Sequence, residues 1–337
     1  MDSITQVVLG AAVGEAVGGR KMGGKAAFWG AIGGTIPDLD VFLRFLYDPF
    51  DAALVHRGFS HSLLFALLVS PILTWIFQRI SKNDHGVKTW FWLWFLSIFT
   101  HPVLDMFTNY GTQFLWPFDW RITFNTVFVV DPLYTLPFAI FLIRALFIKR
   151  DDPRRKKWNL IGIYYSSAYL LLGVVIKLIL LFQVSDYFGE KHITVKRSVV
   201  TPMPLTSFYW NMIVESDSAY YIGYKSLFAP FDKARIEMIP KNHELLQQAN
   251  WKIPKRIDRI EHITNGFYSV RQAKDTLFVY DLRFGTTTRM TNEKARDPLM
   301  GYILLQTNGA ITEAQFLRSR SMKHVDFGQY MREVFGE

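Results

Sequence analysis

Residues 168–181 read Ala-Tyr-Leu-Leu-Leu-Gly-Val-Val-Ile-Lys-Leu-Ile-Leu-Leu, the centre of the clearest candidate membrane span in the sequence. The run lies within Trp158–Phe182, a mostly apolar stretch long enough to cross a bilayer, which takes about 20 residues. Lys177 can extend its long side chain toward a membrane interface. This stretch therefore predicts a transmembrane helix.

Other stretches in the first half of the chain are also long and mostly apolar. Three of them are long or nearly long enough to span a membrane: Ser62–Ile80, Trp90–Phe107 and Pro132–Ile148. Two earlier stretches, Ile4–Val17 and Ala26–Ile36, are shorter and rich in glycine and alanine. Because small residues let helices approach closely, these two predict a tight helical hairpin or a re-entrant pair. A buried hairpin in a soluble domain is the alternative.

The second half has the mixed composition of a soluble domain. Residues 276–285 and 193–200 alternate in the manner of strands, whereas residues 242–250 and 312–320 resemble helices. The sequence thus predicts a mainly α protein with two domains. A multi-span helical membrane domain occupies residues 1–185, and a small soluble α+β domain occupies residues 189–337.

The net charge of +9 is concentrated in three short loops, at residues 20–25, 79–88 and 149–157. Basic loops of this kind mark the cytoplasmic side of a membrane, and all three agree on one orientation. The domain at residues 189–337 is then extracytoplasmic. No motif for nucleic-acid recognition is present, so we predict no nucleic-acid partner. The chain has no cysteine, which excludes disulfides, thiolate metal ligands and a cysteine nucleophile.

Histidines and aspartates gather near the membrane face that the charges place outside. They are Asp38, Asp40, His56, His61, His101, Asp105 and Asp131. His101 and Asp105 are spaced i and i+4, so both side chains lie on one helix face. Ionisable residues inside an apolar helix are costly and are functional by default. We therefore predict a metal site formed by the first six residues.

The residue types indicate which metal would bind and how it would act. Imidazole and carboxylate ligands without thiolate suit Zn²⁺, with Mn²⁺ as the alternative, and their number allows one to three ions. Arg57 is predicted to stabilise developing negative charge, and Asp131 to act as a base. Purely structural interpretations are the alternative to these roles. Asp131 before Pro132 fits a helix N-cap, and a lone His56 or His61 fits an interfacial histidine. Glu15 is left out of the site.

Several motifs together resemble the YdjM-like family of bacterial inner-membrane proteins, classed as metal-dependent hydrolases and sometimes labelled LexA-binding. The motifs are Met1-Asp-Ser-Ile-Thr-Gln, Pro37-Asp-Leu-Asp, His56-Arg-Gly-Phe-Ser-His-Ser, Thr100-His-Pro-Val-Leu-Asp and Val130-Asp-Pro. The resemblance implies a hydrolase distantly similar to zinc-dependent phospholipases C, and carries over to the six predicted ligands, Arg57 and Asp131. Gln6 replaces a histidine of many relatives, so whether Gln6 or Asp2 takes part stays open. The short inward loops give no support to LexA binding.

These observations predict a multi-pass inner-membrane hydrolase whose site opens to the extracytoplasmic side. It would use metal-activated water on a phosphoester or lipid-like substrate, with membrane lipid as a partner and no protein partner identified. One alternative is a metal or proton transporter that uses the same cluster. Another is a non-catalytic anchor that presents the outer domain.

Overall fold

The computed structural model describes residues 1–47, 55–81, 85–254, 256–285, 300–318 and 326–337. The described residues form two units, a helical one of chiefly residues 1–175 and a sheet-rich one of chiefly residues 176–337. The predicted order, a helical part followed by an α+β part, is confirmed. Each unit is described by itself below.

The helical part begins with a capped helix and ends with a long one. Its helices are α1 (Ser3–Met22), α2 (Gly24–Thr35), α3 (Leu63–Ile80), α4 (Val87–Met106), α5 (Pro132–Leu146) and α6 (Pro153–Glu190), with 3₁₀ helices at Pro37–Phe45 and Phe59–His61. Asp2 caps α1 by accepting from the amides of Ile4 and Thr5, and Ser62 caps α3 by accepting from the amide of Phe65. These caps satisfy amides that have no partner inside the helix.

Glycines bring α1 and α2 into backbone contact. A Cβ atom on Gly10 would lie 2.3 Å from the carbonyl oxygen of Gly30, and one on Gly14 would lie 2.2 Å from that of Ala26. Any larger side chain at these positions would force the helices apart. The close approach that the small residues predicted is confirmed, and its form is a hairpin that turns at Gly23.

Two of the described helices are long and apolar enough to cross a membrane, Leu63–Ile80 and Pro153–Glu190. Helix α5 is shorter, since its 15 residues extend only about 22 Å at 1.5 Å per residue. Helix α4 carries Lys88, His101 and Asp105 among its apolar residues, and about half of its side chains are buried. Helices occupy all four predicted spans, but the multi-span arrangement stays a prediction.

The core of the helical unit lies where α1, α4 and α5 meet. Val8, Leu104, Tyr134 and Phe138 are among its buried members. Leu104 directly precedes Asp105, so the packing of α4 against this core fixes the position of the last turn of that helix. The candidate ligand Asp105 is therefore attached directly to this core.

The second unit contains two sheets. The first is antiparallel, in the order β1 (Arg197–Pro202), β2 (Tyr209–Glu215), β3 (Ala219–Ser226) and β4 (Arg235–Pro240). The second runs in the order β5, β9, β8, β7, β6, where these strands are Asn250–Trp251, Ala310–Arg318, Met300–Thr307, Thr276–Asp281 and Tyr268–Ala273. Helices α7 (Glu244–Gln248), α8 (Ile257–Thr264) and α9 (Phe327–Phe335) complete the unit.

The end of α6 belongs to this second unit. Ile176, Leu180 and Val184 form a buried cluster with Val200 and Trp210 of the first sheet. The division between the units therefore falls inside α6, at residues 175–176, before the predicted boundary at 185–189.

One predicted element is wrong. Residues 312–320 resemble a helix because they contain glutamate, alanine, glutamine and leucine, but the described part of this segment belongs to strand β9. Pairing with β8 along almost its whole length outweighs the local helix preference. The strand predicted at residues 276–285 is confirmed as β7 but ends at Asp281, where a 3₁₀ helix follows, and the one predicted at 193–200 begins later, at Arg197.

Candidate metal centre

Four side chains from three segments of the helical unit converge. Asp38 lies on the first 3₁₀ helix, His61 at the end of the second, and His101 and Asp105 on α4. One ligand atom from each lies within 4.8 Å of the others. His61, His101 and Asp105 are fully buried, whereas the side chain of Asp38 is 25% exposed.

The local sequence explains how these side chains reach one point. Pro37 lacks an amide proton, so it cannot extend the hydrogen bonding of α2, and the chain turns into the 3₁₀ helix that carries Asp38. His101 and Asp105 lie one turn apart on α4 and face the same side, as their spacing predicted.

The two buried histidines face each other. Their Nε2 atoms are 3.1 Å apart. The Nδ1 atom of His101 lies 2.5 Å from the carbonyl oxygen of Gly34. A carbonyl only accepts, so this contact places the proton of neutral His101 on Nδ1 and leaves a lone pair on Nε2.

His61 is oriented in the same way. Its Nδ1 atom lies 3.2 Å from a carboxylate oxygen of Asp40 and 3.0 Å from the hydroxyl of Ser60. Since the Ser60 hydroxyl itself donates to Asp40, its oxygen is free to accept from Nδ1. Neutral His61 therefore also presents a lone pair at Nε2. Two lone pairs that face each other repel unless a cation or a proton lies between them.

Four of the six distances between the donor atoms are close to those of a tetrahedral metal site. Asp38 Oδ1 lies 3.4 Å from each histidine Nε2 atom, and Asp105 Oδ2 lies 3.5 Å from that of His61 and 3.7 Å from that of His101. Zinc–ligand bonds of 2.0–2.2 Å in a tetrahedron place neighbouring ligand atoms about 3.3–3.6 Å apart. The residues present therefore fit a metal ion such as Zn²⁺.

Asp105 is held by cationic and amide groups. Its Oδ1 atom accepts from the side chain of Gln6 at 3.0 Å and from the amino group of Met1. Its Oδ2 atom lies 3.1 Å from Nε of Arg57, yet within the described residues this buried oxygen accepts no hydrogen bond of good geometry. A buried carboxylate oxygen that accepts no hydrogen bond of good geometry is available as a metal ligand.

Arg57 is fixed at the edge of this group. Its guanidinium also donates to Thr108 at 2.9 Å and lies 5.1 Å from the ring centre of Tyr110. Its φ angle of +63° is uncommon for a residue with a side chain. Hydrogen bonds on both sides of the residue hold this conformation, from its amide to Asp40 and from the amide of Gln113 to its carbonyl.

The same packing shifts the pKa values of His61 and Asp40. Burial disfavours the charged form of His61, but the nearby carboxylates of Asp105, Asp38 and Asp40 outweigh it and raise the pKa of His61 to about 9. Burial likewise opposes ionisation of Asp40, but hydrogen bonds from His56 and His61 hold its pKa below its ordinary range. Without metal, a proton on His61 can take the cation's place.

Two predicted ligands lie just outside the four-residue group. Asp40 accepts from the amide of Arg57, from Ser60 and from His56, whose Nδ1 atom lies 2.7 Å away. These contacts make Asp40 a support for its neighbours, and they leave His56 partly exposed. The assignment of Asp40 and His56 as ligands stays a prediction.

Asp131 has the contacts of a helix cap. Its Oδ1 atom accepts from the amides of Leu133 and Tyr134 at the start of α5, and its Oδ2 atom from the hydroxyl of Tyr169. It is not a member of the four-residue group. Its catalytic role as a base stays a prediction.

Some groups that orient the candidate ligands could hardly be identified from the sequence. The carbonyl of Gly34 orients His101, and every residue carries such a group. Gln6 was identified as the replacement of a histidine, and it contacts Asp105, whereas Asp2 caps α1. Thr108 follows Asp105 by three residues, a spacing that could have marked it as a neighbour.

The fold and this group of side chains define a class, helical membrane proteins with a histidine–aspartate cluster able to hold a metal ion. The chain belongs to the YdjM inner membrane protein family, whose model matches residues 1–180, more than half of its length. The resemblance drawn from the motifs is thereby confirmed, and membership places the protein in the inner membrane. All four clustered residues lie inside the matched region.

Two curated relatives are similar to this chain. The uncharacterized protein YfhP of Bacillus subtilis (strain 168) is 25% identical over 240 residues, which cover 66% of this chain and 68% of YfhP. The inner membrane protein YbcI of Escherichia coli (strain K12) is 27% identical over 145 residues, which cover 40% of this chain and 82% of YbcI. No solved structure matches significantly.

Proposed function

We propose that this protein is a metal-dependent hydrolase of the inner membrane that cleaves a phosphoester in a lipid-like substrate. The observation that carries the proposal is the pair of imidazole lone pairs and two carboxylates at the spacing of a tetrahedral metal site. Asp38, His61, His101 and Asp105 would hold the ion. A bound Zn²⁺ supplies Lewis-acid chemistry and lowers the pKa of water.

Arg57 supports a phosphoester as the bond that is cleaved. A guanidinium can bind two phosphate oxygens at once and stabilise negative charge that develops in a transition state. Arg57 is tied to Asp105 and Thr108, so its position relative to the metal ligands is fixed before substrate binds. This arrangement requires little reorganisation during the reaction.

His56 is the group best placed to exchange a proton with substrate. Its imidazole is more exposed than those of His61 and His101, and the buried carboxylate of Asp40 holds its Nδ1 atom. An oriented imidazole leaves the opposite nitrogen to act as general acid or base. In this scheme His56 takes the role that the sequence assigned to Asp131.

The entrance to the site would lie beside Asp38. Zinc can expand from four to five ligands during catalysis, and Asp38 is the one candidate ligand with substantial exposure among the four. Substrate and water would therefore approach from the side of the first 3₁₀ helix. The basic loops favour a multi-pass topology in which this side and the second unit are extracytoplasmic.

The transporter alternative loses part of its support. A relay needs ionisable groups at several depths, and Glu15, on the glycine-rich α1, would be one such group. Glu15 instead makes two hydrogen bonds of 2.6 Å to the guanidinium of Arg155. A carboxylate held in this way is poorly suited to carry ions or protons, which favours the hydrolase.

The first test is the metal content of detergent-purified protein, measured by mass spectrometry. We expect about one zinc per chain, retained in the control His192→Asn, whose histidine is exposed, and lost in His101→Ala with helicity unchanged. The loaded protein should hydrolyse a member of a panel of phosphomonoesters, phosphodiesters and phospholipids, and His101→Ala should not. Wild-type protein that takes up no metal would refute the proposal.

A further inference from the structure

Large apolar side chains on segments next to the candidate metal centre are exposed. They lie on two segments, the first 3₁₀ helix and the loop after α4. The members, called the collar here, are Leu39, Phe42, Phe45, Trp116, Phe118 and Trp120, which are 38–72% exposed. An apolar patch of this kind on a water-facing surface is uncommon and usually marks an interaction site.

The loop that carries the tryptophans is attached to the cluster itself. The amide of Gln113 donates to the carbonyl of Arg57, and the guanidinium of Arg121 donates to the carbonyl of His56, both at 3.0 Å. Between these two contacts the ring of Trp116 lies 4.9 Å from that of Phe59, two residues before His61. The exposed rings are therefore held next to the segment that supplies a ligand.

The first 3₁₀ helix has two chemically different faces. Asp38 and Asp40 point to the histidines of the cluster. Leu39, Phe42 and Phe45 are exposed. A surface that covers these apolar side chains would therefore contact residues only one to seven positions away in sequence from Asp38.

A lipid bilayer fits this surface better than a protein partner does. Helix α3, a candidate span, begins two residues after His61 and exposes Leu67, Leu68, Ile72 and Trp75 along its length. The collar thus adjoins a surface that lipid chains would cover. Aromatic rings at the end of a span are typical of the membrane interface, where lipid headgroups lie.

We infer that the collar inserts into the interfacial layer of the bilayer and presents phospholipid headgroups to the metal centre. The inference rests on the proposed function and narrows its substrate to a lipid held in the membrane. Arg57 is then the cationic group that meets the phosphate. Amphipathic segments at such an interface are buried roughly 5–10 Å into the headgroup and acyl boundary.

The absence of cysteine gives a direct test, because a single engineered cysteine labels only the chosen position. Phe42→Cys, Phe118→Cys and Trp120→Cys would carry an environment-sensitive NBD fluorophore in the full-length protein. Vesicles would contain phosphatidylethanolamine and phosphatidylglycerol, brominated either near the headgroup or near the chain end. Lys156→Cys, an exposed position in the first turn of α6, is the control.

We expect blue-shifted emission at the three collar positions, with stronger quenching by bromine near the headgroup than near the chain end. The control should be quenched by aqueous iodide instead. Collar labels that iodide quenches and brominated lipid does not would overturn the inference. Metal content measured on the same samples reports separately on the proposed function, so a failure of one is distinguishable from a failure of the other.

Discussion

Glu15 and Arg155 form a bidentate ion pair inside the helical unit, with Nε and one terminal nitrogen of the guanidinium each 2.6 Å from a carboxylate oxygen. Both side chains are almost fully buried, and Arg155 also donates to the carbonyl of Ile148. The pair connects α1 to the first turn of α6. Arg155, counted in the sequence as a loop charge, therefore has a structural role as well.

Breaking this pair should destabilise the protein without changing its metal site. Glu15→Gln leaves a buried guanidinium without its counter-charge, so we expect the free energy of unfolding to fall by about 3–5 kcal/mol. Denaturant titration in detergent measures the change, and the exposed Lys156→Gln serves as control. A loss no larger than in the control would show that the pair contributes little.

Changing Asp40 should weaken metal binding without abolishing it. Asp40 contacts Nδ1 of His61 rather than the space between the ligand atoms, so Asp40→Asn should lower affinity roughly 10–100-fold. At saturating zinc the stoichiometry should equal that of wild type. Competition titration with a chelator gives both values. Loss of stoichiometric binding would instead make Asp40 a ligand, as the sequence predicted.

His56→Gln should separate binding from turnover. Because His56 is outside the four-residue group, we expect normal zinc content with hydrolysis reduced about 10²–10⁴-fold, the usual contribution of a general acid or base. The measurements are metal analysis and initial rates on the substrate identified in the panel. Loss of zinc from this variant would restore His56 as a ligand and remove its proposed proton-transfer role.

The glycine hairpin should be intolerant of a single methyl group. A Cβ atom at Gly30 would lie 2.2 Å from the carbonyl oxygen of Gly10, whereas one at Gly24 would meet no atom within 4 Å. We expect Gly30→Ala to cost about 1–3 kcal/mol through overpacking. Gly24→Ala should cost nothing measurable. Equal unfolding free energies for the two variants would contradict the close packing.

The stability of the second unit should fall in mild acid. The ring of His243 stacks on that of Tyr268 at 3.9 Å, and burial lowers its pKa, which outweighs the raising effect of its hydrogen bond to the Tyr268 carbonyl. The unfolded chain then binds a proton more readily than the folded one, so stability is present above about pH 6.5 and decreases below it.

Hydrogen exchange of the amides around Tyr268 in the full-length protein measures this effect. We expect protection to decrease from about pH 7 to pH 5 after correction for the intrinsic exchange rate. His243→Gln, which cannot titrate, should show a weaker dependence on pH. An identical dependence in both proteins would exclude His243 as the cause.

The spacing of residues within single segments of the sequence predicted those parts of the site that depend on local structure. His101 and Asp105 stand one helical turn apart in an apolar segment, and Asp38 follows a proline at a helix end. The sequence could not show that Asp40 orients His56 and His61, because that geometry depends on how three segments pack. Strand β9 was missed for a related reason, since its partner β8 decides its conformation.

The four clustered residues lie between positions 38 and 105, and the family model ends at residue 180, near the start of the second unit. The part of the chain that the family model matches therefore contains every residue of the cluster, and a relative that shares only this part would still have the segments that carry the candidate metal site.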